Sequence, residues 1–304
     1  MQTNKRDHMA ELETTTGDLY SNCFERLNEE DKHWFAHGRL LAQQLGISEN
    51  TVRQKKCLDG GCANGTMTYQ FLAGGAREVV GVDLSPIPKP RVFDEFGNTV
   101  RFVKGSLIDL PFEDNSFDLV ASTGVLQHTA NPEKALSELI RVLKPGNTLY
   151  LGVYGKHGLF SWALSLVRIF TVKIPLIPQR TIDALISMLG LSPLVRYQIL
   201  DYLYVPNLDR FTPDQLKKWF IQYGMKNPRR IYNVTPDEAS EFRREGTVYT
   251  YDPRTLLNRI LFGYGFINMH ADKKGRVWVA LLDLLIKGRL LAAKTRSAFS
   301  SKCG

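Results

Sequence analysis

Cysteine is scarce in this chain, with four in 304 residues. Cys23, Cys57, Cys62 and Cys303 form no C-x-x-C pair, and no histidine cluster stands beside them. That argues against a zinc site or a disulfide framework and leaves reduced thiols, as expected of a cytoplasmic protein. Long apolar runs are also missing: none reaches the ~18 residues needed to span a bilayer. Met1 to Leu12 is polar and charged, so no signal peptide is expected. No block of Lys and Arg exceeds two residues, and neither an internal repeat nor a low-complexity tract is present. The expectation is a soluble protein, at most peripheral to a membrane.

What is present is core-forming. Apolar residues make up 43% of the chain, enough to bury a sizeable interior. The net charge of +8 suits an acidic partner, but without a basic block or an RNA-binding module the plainer reading is a basic enzyme, and no nucleic acid is expected. Met1 to Gly17 reads as polar and frayed. Asp18 to Leu45 reads as helical on the stripe Phe24, Leu27, Trp34, Leu40, Leu41 and Leu45, with Gly46 to end it.

From Lys56 short β-rich runs alternate with helices. Lys56 to Asp59, Glu78 to Asp83, Val100 to Lys104, Phe117 to Ser122 and Thr148 to Val153 predict buried strands of a parallel sheet with helices on both faces. Asn131-Pro132 predicts a helix start, with Ala135, Leu136, Leu139, Ile140 and Leu143 on one face and Lys144-Pro145-Gly146 as its stop. Thr212-Pro213-Asp214-Gln215 opens a second helix that buries Leu216, Trp219, Phe220 and Tyr223 and closes at Gly224.

The chemistry concentrates in Cys57-Leu58-Asp59-Gly60-Gly61-Cys62-Ala63-Asn64-Gly65-Thr66. An apolar strand ends in Asp59, small residues follow, and a helix begins near Thr66. Gly61 and Gly65 allow a tight turn and a close approach to a ligand. The next predicted strand ends in Asp83, 18 residues after Gly65, where a carboxylate can accept from two ribose hydroxyls. Loop and acid together imply a nucleoside-bearing cofactor. A dinucleotide loop needs G-x-G-x-x-G, whereas the register here is Asp59-x-Gly61-x-x-x-Gly65. A carboxylate is a poor neighbour for pyrophosphate and suits an ammonium group instead.

At these residues the chain resembles the class I S-adenosylmethionine-dependent methyltransferases. The matching stretches are LDGGCANGT, VVGVDLS, LPFEDNSFDLV, VLQHTANPEKALSELIRVLKPG and FTPDQLKKWFIQYGM, in that order and spacing. The resemblance implies an α/β, Rossmann-like, doubly wound and mostly parallel seven-stranded sheet, with an N-terminal helical segment and a helical insertion after the fifth strand. It implies S-adenosylmethionine as cofactor. Asp59, Gly61, Cys62 and Gly65 would hold the methionine moiety, and Asp83 the ribose. Leu84 would flank the adenine, Ser106 and Leu107 would line its edge, and Thr123 and Gly124 would pass close to the sulfonium. Two positions depart from the pattern: Ala63 replaces a glycine, and Ser106 stands where an acid often accepts from the adenine amino group.

The expected organisation is a helical lid over 1–52, a cofactor-binding core over 53–157, a helical insertion capping the acceptor side over 158–210, the rest of the sheet over 211–275 and a basic amphipathic tail over 276–304. His128, after the fourth strand, could act as a general base, but a structural role is the plainer reading. Tyr154 and His157, after the fifth, are weak catalytic candidates on the acceptor side. Tyr20, Trp34 and Phe35 are expected to pack the N-terminal helix on the domain, with a lid over the same pocket as the alternative. No metal site is expected. The predicted function is methyl transfer from S-adenosylmethionine to a small-molecule acceptor, with the accepting atom left open. The alternatives are a lipid or quinone acceptor at a membrane surface, an RNA or protein acceptor, and, less favoured, a nicotinamide-dependent oxidoreductase. An N/D-P-P-Y/F motif is absent: Ser122-Thr123-Gly124-Val125 follows the fourth strand.

Overall fold

The computed structural model describes residues 11–21, 38–39, 41–85, 91–174, 176–190, 193–232, 256, 260, 264 and 266–275. Helix α1 covers residues 11–21. The chain continues through β1 (Lys56–Gly60), α2 (Thr66–Ala73), β2 (Glu78–Asp83), β3 (Val100–Lys104), β4 (Phe117–Thr123), α3 (Pro132–Val142) and β5 (Leu143–Tyr154). The insertion holds α4 (Leu159–Arg168), α5 (Gln179–Met188) and α6 (Pro193–Tyr204), and the sheet is completed by α7 (Pro213–Gln222), β6 (Met225–Ile231) and β7 (Phe266–Lys273).

The seven strands lie in the order β3-β2-β1-β4-β5-β7-β6. β1 to β5 pair in parallel, and β7 runs antiparallel to both β5 and β6. This is the Rossmann-like, doubly wound sheet that the sequence implied. Its inner strands are covered on both faces, so they read as nearly unbroken apolar runs. Successive residues then divide between two cores: Leu58, Val80 and Val120 on one face with Leu136 and Leu139, and Cys57, Val79 and Leu119 on the other with Phe71 and Phe93. The chain winds outward from β1 to β3 and then returns to β4, so the strand order reverses between β1 and β4. The carboxyl ends of those two strands mark the switch point at which ligands bind in open sheets.

Two expectations change. Helix α1 takes in Glu11 to Gly17, which composition alone marked as frayed. Phe24, Leu27, Trp34, Phe35 and Leu40, and the tail from Arg276, lie outside the described residues. Helix α3 begins as read, with Asn131 Oδ1 accepting from Lys134 N at 3.0 Å, but it ends at Val142 and not at Lys144-Pro145-Gly146. Leu143 already belongs to β5 and pairs with Phe117, and the next pair is Leu119 with Thr148. Lys144 to Asn147 are therefore a bulge within the strand.

The physical reason is a cation reaching in from the far end of the sequence. Lys273 Nζ, at the end of β7, donates to the carbonyls of Ile140, Arg141 and Leu143 and to Asn115 Oδ1, at 2.5–3.1 Å. It caps the helix C-terminus, where acceptors are exposed and positive charge is favoured. Lys273→Met is expected to lower stability by ~1–3 kcal/mol, the cost of leaving such acceptors without a donor; urea unfolding against the unchanged chain measures it.

Candidate active site

The β1–α2 loop is built by its glycines. Gly61, at φ +80, has its N–H bonded to Val82 O at 2.7 Å, and an added Cβ would stand 2.2 Å from Val125 Cγ2. Gly65, at φ +85, leads into α2 beneath Phe93, whose Cζ an added Cβ would meet at 2.8 Å. Both positions therefore require glycine. Ala63 also takes a left-handed conformation, at φ +49, so the alanine found there holds a backbone geometry that glycine adopts without strain. Cys62 turns its Sγ inward against Gly81, and burial pushes its thiol pKa well up. It is a packing residue of the loop.

Two carboxylates stand at the ends of neighbouring strands. Asp59 is 2% exposed and receives hydrogen bonds only from Thr68 among the described residues, the side-chain one at 2.7 Å. Burial raises its pKa to about 7; the Thr68 hydrogen bond opposes the rise and the charge of Asp83 adds to it. Asp83 accepts from Ala63 N at 2.9 Å on one oxygen and from Ser85 N at 3.0 Å on the other. Its pKa is also raised by burial, against those backbone donors. The Leu84 backbone and the Ser85 side chain add further donors, so the Asp83 carboxylate is held in place by its own loop.

Helix α1 lies along this edge. Ser85 Oγ donates to Gly17 O at 3.1 Å, and Leu84 packs beside Gly17. Ser106 Oγ donates to Glu13 Oε1 at 2.6 Å, so α1 brings a carboxylate to the place where β3 supplies only a serine. Leu107 is buried in the core against Gly60. Beyond β4, Gly124 adopts φ +73, and a Cβ added there would meet nothing nearer than Gln127 Nε2 at 3.9 Å, leaving open space beside it. Thr123 Oγ1 and Asn268 Oδ1 are buried without hydrogen-bond partners, and both border Gly152, whose Cβ would lie 2.4 Å and 3.1 Å from them.

A second polar cluster gathers around Asp201 of α6, which is almost fully buried. Tyr20 of α1 and Tyr154 of β5 both donate their hydroxyls to its carboxylate, the latter at 2.6 Å. His128 Nδ1 donates to Asn207 O at 2.9 Å, and its Nε2 accepts from Gln127 Nε2 at 3.1 Å and stands 3.3 Å from Asp201 Oδ1. Tyr202 stacks on Tyr154 at 4.9 Å, and burial together with the Asp201 charge pushes its hydroxyl up to about 12. Both ring nitrogens of His128 are therefore engaged by the protein, which favours its structural role. The structure gathers Tyr20, His128 and Tyr154 around Asp201 and leaves His157 outside, exposed at φ +72 with its ring against Tyr264.

Sequence reasoning missed Asp201, Glu13 and Asn268. Asp201 did leave a trace: it is a lone acid in Ile199-Leu200-Asp201-Tyr202-Leu203, where an apolar helix has no reason to carry a charge unless it is paired. Glu13 and Asn268 left none, because the first sits in a polar terminus and the second on a strand that sequence patterning did not delimit.

Residues 58–151 match the family model described as a methyltransferase domain. A tRNA U34 carboxymethyltransferase of Methylococcus capsulatus is 37% identical over 197 residues, covering 63% of this chain and 51% of that protein. A sterol 24-C-methyltransferase of Gibberella zeae is 27% identical over 151 residues, 48% of this chain and 35% of that protein. This chain thus spans about a third to a half of the length of these relatives. A chain from the complex of the Haloferax volcanii Trm112 methyltransferase activator and a methyltransferase superposes with a TM-score of 0.51 at 19% identity, over 86% of this chain and 98% of that one, a likeness of fold. Glycine turn, strand-end carboxylates and strand order agree with the family match: residues 58–151 form a methyltransferase domain on a Rossmann-like sheet.

Proposed function

We propose that the protein transfers the methyl group of S-adenosylmethionine to a small-molecule acceptor. One observation carries the reading: Asp59 is a buried carboxylate at the mouth of a glycine turn with no cation to pair with it among the described residues. Burying a charge without a partner is costly, and an ammonium group would remove that cost. The cofactor fits the residues present. Asp59 and the Gly61–Gly65 loop would hold its amino-acid end, and Asp83 the ribose hydroxyls. Leu84 would flank the adenine, with Ser106 and Glu13 at its edge, and Gly124 leaves room for the sulfonium side.

When bound, the donor supplies an activated methyl group on a positively charged sulfur. The protein's contribution is alignment and exclusion of water. Helix α1 covers the adenosyl side through Ser85 and Ser106, and the Asp201 cluster joins α1 and α6 over the far side. Holding acceptor and donor in line is worth on the order of 7–11 kcal/mol of barrier. With both nitrogens of His128 engaged, the arrangement suits an acceptor that reacts without losing a proton to the protein. A second reading, an RNA acceptor, draws on the Methylococcus capsulatus relative and the net charge of +8. RNA affinity falling steeply with added salt would select it; transfer of labelled methyl into a metabolite extract, with none into RNA, supports the first.

Asp83→Ala is expected to weaken S-adenosylmethionine binding by ~1–3 kcal/mol, the scale of lost hydrogen-bond acceptors. Calorimetric titration reads it, and unchanged affinity would contradict the ribose assignment.

The raised pKa of Asp59 gives a pH dependence of definite sign. Between the ordinary 3.8 and about 7, the folded chain keeps a proton on Asp59 that the unfolded chain has released. The Asp59 contribution to stability of the unliganded protein therefore falls as pH rises across that window and levels off above it. Asp59→Asn should flatten this part of the profile in thermal melts, and the cofactor should release a proton on binding near neutral pH. A profile unaltered by the substitution would show that Asp59 titrates normally.

A further inference from the structure

Among the described residues the insertion leaves many of its large apolar side chains exposed. Among the described residues, eleven of the fifteen large hydrophobic side chains that stand exposed fall within 159–189. Helix α4 has no buried residue at all, and α5 buries only Ile186. Helices in water draw their stability mainly from packing an apolar face, so α4 presents a face made for an apolar environment. Leu159, Trp162 and Leu166 repeat at three- and four-residue spacing along it, with Trp162 65% exposed. Leu176 at 68%, Met188 at 85% and Leu189 at 74% extend the surface across the following turn and the end of α5. Soluble monomers seldom leave so much apolar surface together without a use for it.

The charge bordering this surface is mostly positive: within 159–189 only Asp183 is acidic, while Asp209 acts on Lys156 from the end of the insertion. Lys156, Lys173 and Arg180 are exposed with no ion pair among the described residues. The segment's only acid, Asp183, is neutralised by Arg196 at 2.7 Å. At 10 residues α4 is ~15 Å long, and no helix among the described residues is long and apolar enough to cross a membrane. A second copy of this chain would bring the same positive rim against itself, which disfavours a symmetric pair. We infer that the insertion docks on an anionic lipid bilayer, with α4 and the end of α5 lying in the interface, Trp162 and Leu176 entering the acyl boundary, and Lys156, Lys173 and Arg180 at the level of the lipid phosphates. The contact is peripheral and reversible, because a short apolar face supported by a few cations is far from a spanning anchor.

Docking and methyl transfer are separable. Cofactor affinity in solution reads the catalytic proposal, and vesicle binding reads this one. The full chain is mixed with phosphatidylcholine vesicles, with and without phosphatidylglycerol, and sedimented. Binding is expected to the anionic vesicles, weakening with salt, with tryptophan fluorescence quenched by brominated acyl chains. Lys173→Ala combined with Arg180→Ala should weaken partitioning by roughly tenfold or more. Trp162→Glu should abolish quenching and binding while leaving the far-ultraviolet dichroism and the S-adenosylmethionine affinity unchanged, since its side chain lies outside the core. Lack of binding by the unaltered chain, binding indifferent to lipid charge, or binding that survives both sets of substitutions would overturn the inference. So would a dimer in light scattering that Trp162→Glu converts to monomer without any vesicle affinity, which would assign the surface to a second copy.

Discussion

The structure depends on keeping two carboxylates at the dry ends of adjacent strands. Asp59 and Asp83 sit on β1 and β2, close enough for one charge to raise the pKa of the other, and burial raises both. No packing argument puts them there: a valine at either place would extend the apolar run of its strand at no electrostatic cost. The loop is arranged to hold them, with the Ala63 and Ser85 amides on Asp83 and Thr68 on Asp59. Those donors offset part of the cost of burial, and the proposed cofactor, with an ammonium group and ribose hydroxyls, would offset the rest. The glycines follow from the same requirement, because only a chain without Cβ at Gly61 turns under Val125 and stays within reach of both acids.

Closure over that site is concentrated in one buried side chain. Asp201 gathers Tyr20 from the N-terminal helix, Tyr154 from β5 and His128 from the β4 loop, so three parts of the chain far apart in sequence meet on two oxygens. A carboxylate with this many partners is stable only while all of them are in place. The network thus couples α1 to the insertion: withdrawing either leaves Asp201 short of donors. It also fixes His128, whose Nδ1 proton is committed to Asn207 O.

How much of this was legible follows the range of the interactions. The five parallel strands and the helices at Pro132 and Pro213 are written locally, in apolar runs, caps and glycine stops, and the structure returns them at the expected residues. Asp59 and Asp83 were legible for the same reason, since each closes its own strand. The end of α3 was not, because the deciding group is Lys273, more than a hundred residues downstream, and no local stop signal competes with its bonds. Glu13 was hidden in a polar stretch that becomes helical only by resting on Ser85 and Ser106. Asp201 was visible as an anomaly, a charge in an apolar helix, but its partners lie on three other elements.

The same distinction explains the two unlike halves of the molecule. In the sheet every large apolar side chain has a facing partner, because strand and helix patterns were matched across the two cores. In the insertion the apolar cluster among the described residues is small, Ile186 and Leu200 joined by Ile182, Ile199 and Tyr204, and α4 buries none of its residues. The insertion is held to the core by the Asp201 hydrogen bonds and by Tyr202 stacked on Tyr154, while Arg168 ties α4 to the carbonyls of Tyr202 and Val205 within the insertion itself. Polar bonds spend little apolar surface. That is why this part of the chain can stay attached to the catalytic domain and still have most of its hydrophobic side chains free to meet a second phase.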